Sequence, residues 1–120
     1  MKKKTLVLGA SENPERYSNM AIKKLKQHGH DVVAIGAKDG EADGVKIYKD
    51  HPDFKDLNTV TMYLSEKNQR QYYDYILKQK PERIIFNPGA ENPELFELAQ
   101  KNGITPQNAC TLVLLSTNQY

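Results

Sequence analysis

The stretch DVVAIG, residues 31–36, most narrows what this chain can become. Its middle is apolar without alternation. A strand of that kind needs cover on both faces, as in a parallel sheet with helices on each side. Residues 5–9 (TLVLG), 45–48 (VKIY), 60–64 (VTMYL), 83–86 (RIIF) and 111–115 (TLVLL) read as further strands. Helical patterns lie between them. One covers residues 19–28, with Met20, Ile22 and Leu25 apolar and Gly29 as its C-cap. A second covers residues 66–79, capped by Ser65 and ended by Pro81, and a third starts at Asn92 and Pro93 and closes at Gly103. Strands alternating with helices imply right-handed βαβ units. The expected fold is α/β: one doubly wound domain over residues 1–120, with a mainly parallel sheet of five or six strands flanked by helices. A chain of 120 residues has room for one such core.

In these sheets ligands bind beyond the carboxyl ends of the strands, near the point where strand order reverses. Gly9, Gly36, Leu64 and Asn87 stand at those ends. The first turn, GASENPERYSNMA, has one glycine where a dinucleotide binder usually has three. Gly9 permits a sharp turn that leaves the N–H groups of Ala10 and Ser11 for a ligand. Ser11 adds a hydroxyl, Ser18 and Asn19 stand beside the helix start, and Arg16 brings a planar cation suited to phosphate. The helix terminus itself favours anions. A plainer alternative stays open, in which Gly9 serves only the turn and Arg16 only solvation. The second strand ends Gly36-Ala37-Lys38, without the carboxylate that would bind the ribose diol of NAD. Lys38 would attract a phosphate instead, and Asp39, beside Gly40, serves the loop. CoA and NADP both qualify as ligands; NAD is disfavoured.

Three separated stretches, VLGASENPERYSNMAIKKLKQHGHDVVAIGAK, FNPGAENPELFELAQKNGI and ACTLVLLSTNQY, together resemble the small CoA-binding-domain proteins. The likeness runs from Lys4 to Tyr120. It implies a Rossmann-like domain similar to the CoA-binding module of succinyl-CoA synthetases and related acyl-CoA ligases. It implies CoA or acyl-CoA as the cofactor, lying across the strand ends. Gly9, Ala10 and Ser11 would contact the phosphates, with Arg16 and Ser18 completing the loop. Gly36 and Lys38 would lie near the adenosine, Leu64 and Ser65 along the pantetheine, and Asn87, Pro88 and Gly89 on the far wall. The chain departs from the family where YSNMA replaces a proline-serine start to the helix. The ligases' partner regions do not follow the last strand. The resemblance thus implies binding without catalysis by this chain alone. The alternatives are an NADP-dependent reductase and a regulatory interaction protein with a vestigial nucleotide pocket.

Other features narrow the class by exclusion. A net charge of +2 and a pI of 8.6 fall short of a dedicated nucleic-acid binder. Lys23, Lys24 and Lys26 read as a solvated helix face. No apolar run reaches the roughly 20 residues of a membrane helix. The basic start, Met1 to Lys4, has no apolar segment of a signal peptide behind it. Together with a single cysteine, Cys110, this suggests a cytoplasmic protein. His28 and His30 flank Gly29, where an imidazolium suits a helix end, and neither they nor His51 belong to a ligand cluster. No catalytic or metal-binding residue is expected. Tyr63 and Lys67 have a reductase spacing, but a strand end and a helix start cannot put them on one helix face. Cys110 reads as a small hydrophobe beside the last strand. Tyr72, Tyr73 and Tyr75 leave two readings open, core packing or a face for a second copy or protein partner.

Overall fold

The computed structural model describes residues 2–120. Its strands are β1 (Thr5–Ala10), β2 (Val32–Gly36), β3 (Gly40–Ala42), β4 (Val45–Tyr48), β5 (Thr59–Met62), β6 (Arg83–Phe86) and β7 (Thr105–Asn108). They form one sheet in the order β3-β4-β2-β1-β5-β6-β7. All neighbours run parallel except the β3–β4 hairpin. From β1 the chain builds outward through β2 and β4, then returns and builds the other way from β5 to β7. Strand order therefore reverses between β1 and β5. The helices are α1 (Tyr17–Gln27), α2 (Glu66–Gln69), α3 (Tyr73–Gln79), α4 (Pro93–Lys101) and α5 (Thr111–Ser116). This is the doubly wound α/β architecture that the alternating pattern implies.

Two cores explain the unalternated strands. On one face Val7 and Ala34 pack with Ile22 and Leu25 of α1 and Leu115 of α5. On the other, Leu6, Leu8 and Ile35 pack with Ile76 of α3 and Leu95 of α4. Successive residues of a strand point to opposite faces, so a strand covered twice is apolar throughout. Burying each such Leu or Ile contributes roughly 1.5–3 kcal/mol. Tyr72 is buried in the second core, with Tyr73 and Tyr75 packed against it, so the tyrosines are packing residues. No helix among the described residues is long and apolar enough to cross a membrane.

Several local expectations are corrected. Residues 111–115 form α5, not a strand: Thr111 and Leu115 sit one helical turn apart and are the buried residues of that helix. The last strand is β7, whose sequence TPQN has no apolar signal. It lies at the sheet edge, where proline is tolerated. With β3 added, the sheet has seven strands rather than five or six. The helix expected over residues 66–79 is broken by a 3-10 turn, Arg70–Tyr72, into α2 and α3. Ser65 precedes α2 but makes no side-chain cap; its Oγ accepts from Asn68 Nδ2 at 3.1 Å instead. Cys110 is half-buried between the end of β7 and the start of α5. His30 is not held as an imidazolium. Its Nδ1 accepts from the Lys3 amide at 2.9 Å, and burial, followed by the Lys3 charge, lowers its pKa.

Other signals hold. Asn92 Oδ1 accepts from Leu95 N at 3.2 Å and Pro93 opens α4. Gly29 follows α1, and the turn is closed by Gly29 N to Lys26 O and His30 N to Leu25 O, both 3.0 Å.

Candidate functional site

Two glycines shape the reversal point. Leu8 pairs with Ile35 but Ala10 pairs with Gly36, so Gly9 is an extra residue bulged out of β1. The sequence pattern puts Gly9 at a turn, whereas it lies within the strand, at φ +97°. A side chain there would be strained, and its Cβ would stand 3.1 Å from both Leu64 N and Tyr63 C. Gly36 is required for a different reason: a Cβ would fall 2.4 Å from the Ala10 carbonyl oxygen. The ends of β1, β2 and the segment after β5 are thus drawn together by missing side chains.

The loop into α1 is ordered by its own polar groups. Ser11 Oγ accepts from Asn13 N at 3.1 Å, which leaves its hydroxyl proton free to donate. Asn13 Oδ1 accepts from Glu15 N at 3.0 Å. From beneath, the buried Asn19 donates through Nδ2 to Ser11 O at 2.9 Å, and its Oδ1 has no partner. Arg16 is the N-cap residue of α1, and no side chain caps the helix. No acidic residue occupies its first turn. The free amides and positive dipole end of α1 are therefore available to an anion. The nearby carboxylate of Glu12 is turned toward β3, where it accepts from Glu41 N at 3.1 Å.

A cleft of about 340 Å³ opens at these strand ends. It is lined by Gly9 of β1, Gly36 and Ala37 at the end of β2, Lys49 and His51 after β4, and Leu64 after β5. Asn68, Gln71 and Tyr72 complete it. No carboxylate lines it. A second groove, of about 260 Å³, lies beside α4 and β7 and is lined by Glu91 and Glu97. Those charges suit a polyanion poorly.

Of the residues singled out in the sequence, Gly9, Gly36 and Leu64 meet in the cleft. Ala10, Ser11, Arg16 and Ser18 continue from Gly9 into α1; Ala10 and Ser18 are buried, and Arg16 is exposed. Lys38 is exposed two residues past Gly36 and does not line the cleft. Ser65 is exposed next to Leu64. Asn87, Pro88 and Gly89 follow β6, on the far side of β5, and do not line the cleft either. Pro88 and Gly89 are exposed, whereas Asn87 is buried. Asn87 Nδ2 donates to Thr61 Oγ1 at 2.8 Å and its Oδ1 accepts from Thr111 N at 2.9 Å, joining β5, β6 and α5.

Lys49 and His51 were not foreseen. They reach the cleft because β4 pairs in parallel with β2 and so ends at the same edge, a placement that only the structure reveals. Tyr63, one half of the reductase-like spacing, is pushed up to about 12 chiefly by burial. Its hydroxyl is buried without a partner. Among the described residues no group of three or more His, Cys, Asp or Glu side chains could hold a metal ion.

A family model described as a CoA binding domain matches residues 3–116. A solved structure of an uncharacterized protein is 46% identical, covering 100% of this chain and 99% of its own, with a TM-score of 0.98. A hypothetical protein from Pyrococcus horikoshii OT3 is 28% identical, covering 97% of this chain and 83% of its own, at a TM-score of 0.87. The dinucleotide-forming acetyl-coenzyme A synthetase 1 of Ca. Korarchaeum cryptofilum, in complex with phosphate and ADP, shares the fold at 20% identity and a TM-score of 0.71. That match covers 88% of this chain and 25% of the synthetase. No curated protein matches.

Proposed function

The chain belongs to the CoA-binding-domain family, and from that premise we propose that it binds coenzyme A, free or acylated, across the ends of β1, β2 and β5. The observation that carries this reading is the uncapped start of α1 beside a cleft that no carboxylate lines. The diphosphate lies at the Gly9–Ala10–Ser11 bulge and loop. There the Ser11 hydroxyl, the amides of Tyr17 and Ser18 at the start of α1 and the Arg16 guanidinium can donate to it. Gly36 lies beside the adenosine, with Lys38 at its outer rim. The pantetheine passes Leu64 and Ser65 toward the wall at Asn87, Pro88 and Gly89.

Bound CoA supplies a thiol or thioester; the residues of this chain hold and orient it and do not catalyse a step by themselves. A reductase would need a proton donor near neutral pH, and burial moves Tyr63 the wrong way for that task. Calorimetric titration with CoA and NADPH tests the reading. CoA should bind in preference, and Arg16→Ala should weaken it by about tenfold or more, the scale of one charge-assisted hydrogen bond. Preference for NADPH, or no binding of either, would overturn it.

A further inference from the structure

Resting on that reading, the geometry points to Lys49 and His51, rather than Lys38, as the residues that hold the phosphate on the adenosine ribose. Both line the cleft, on the β2–β4 side where the adenosine lies, and they are its lysine and histidine. Lys38 sits on a bend and does not line it. Lys49 takes part in none of the ion pairs formed among the described residues. Its backbone is fixed, because its amide donates to Asp39 Oδ1 at 2.9 Å. Asp39 thereby anchors the backbone at Lys49.

His51 is held as firmly. Its ring lies 4.6 Å from that of Tyr72 and 5.3 Å from that of Tyr75. Beyond it the chain is fastened to α3 at three points. Tyr75 Oη donates to Pro52 O at 2.6 Å, Phe54 N donates to Gln79 Oε1 at 2.9 Å, and Gln79 Nε2 donates to Asp53 Oδ1 at 2.8 Å. The last bond also occupies the carboxylate of Asp53. From this wall the Lys49 ammonium and an imidazole N–H of His51 can both donate to one phosphate. The segment after β4 thus sets the specificity for the extra phosphate.

The test is calorimetry of the full chain with CoA and dephospho-CoA, in the wild type and in Lys49→Ala, His51→Ala and Lys38→Ala. All three side chains are exposed, so the variants should fold. The wild type should prefer CoA by about tenfold or more, the scale of a charged hydrogen bond. Lys49→Ala should remove most of that preference with dephospho-CoA affinity unchanged; His51→Ala should remove part of it, and Lys38→Ala almost none. Preference retained in Lys49→Ala, or lost only in Lys38→Ala, would overturn the assignment, as would equal binding of the two ligands by the wild type. Each of those results leaves CoA binding intact. A wild type that binds neither ligand refutes the CoA reading and this assignment with it.

Discussion

Two glycines four residues apart allow the steric account of the site to be tested against itself. At Gly36 an added Cβ would lie 2.4 Å from Ala10 O and 3.2 Å from Ala10 C. At Gly40 it would lie 2.5 Å from Glu12 Cδ and 2.7 Å from Glu12 Oε1. The distances are nearly equal, but the obstacles are not. Ala10 is backbone, locked into the β1–β2 ladder, so Gly36→Ala must push two central strands apart. Overpacking of that kind costs roughly 1–3 kcal/mol and sometimes more. Removing a glycine returns only about 0.4–1 kcal/mol through the unfolded chain. A net loss near 1–2 kcal/mol is expected. For a chain of this length that lowers Tm by about 4–8 °C, at roughly 4 °C per kcal/mol. Glu12 is an exposed, flexible side chain, and Gly40→Ala need only rotate it away. That forfeits its hydrogen bond from Glu41 N, so the change should stay within about 1 kcal/mol. Urea unfolding of both variants, with CoA affinity measured alongside, separates the cases. Equal stability losses would refute the reasoning that the atom met, and not the distance alone, decides the cost.

Two further perturbations probe the supports of the site. Asn92 caps α4 and is buried, with Nδ2 donating to Gln69 Oε1 at 2.9 Å and Tyr73 Oη at 2.8 Å. Asn92→Ala should cost about 2–4 kcal/mol, a lost cap plus stranded buried acceptors, and a loss under 1 kcal/mol in urea unfolding would contradict this. Gln69 in turn donates to Leu64 O at 2.9 Å, so CoA affinity should fall as well. His30 binds its proton less readily when folded, first because of burial and next because of the Lys3 charge, so its folded pKa lies below 6.5. The unfolded chain therefore takes up that proton at higher pH, and stability falls as pH drops below 6.5. His30→Gln should flatten that part of the stability profile. An unchanged slope would mean that His30 is not its source.

The fold was legible wherever the two-sided sheet left its mark. Residues 5–9, 32–36 and 83–86 lie in strands whose apolar runs record two covered faces, whereas β4, with Lys46 exposed, is marked only by its β-branched and aromatic residues. β7 left no such mark, since TPQN is a half-exposed edge whose pairing is all backbone. TLVLLS misled for the opposite reason. Its β-branched and apolar residues suit a strand, but packing of Thr111 and Leu115 against the body selects a helix. At the site, Gly9 and Gly36 could be found from the strand-end rule. What each glycine avoids is visible only in space, as is the route by which a segment after β4 reaches the same cleft. Lys38 is close in sequence to Gly36 but does not line the cleft, which instead brings in Lys49 and His51 from the segment that β4 carries to the same edge.

The most direct test is an amide NMR titration of the ¹⁵N-labelled chain with CoA. The account predicts that shifts concentrate at Gly9, Ser11, Ser18, Gly36, Ala37 and Leu64, with Lys49 and His51 moving for CoA more than for dephospho-CoA. Shifts confined to the groove between α4 and β7, or none at saturating CoA, would contradict it.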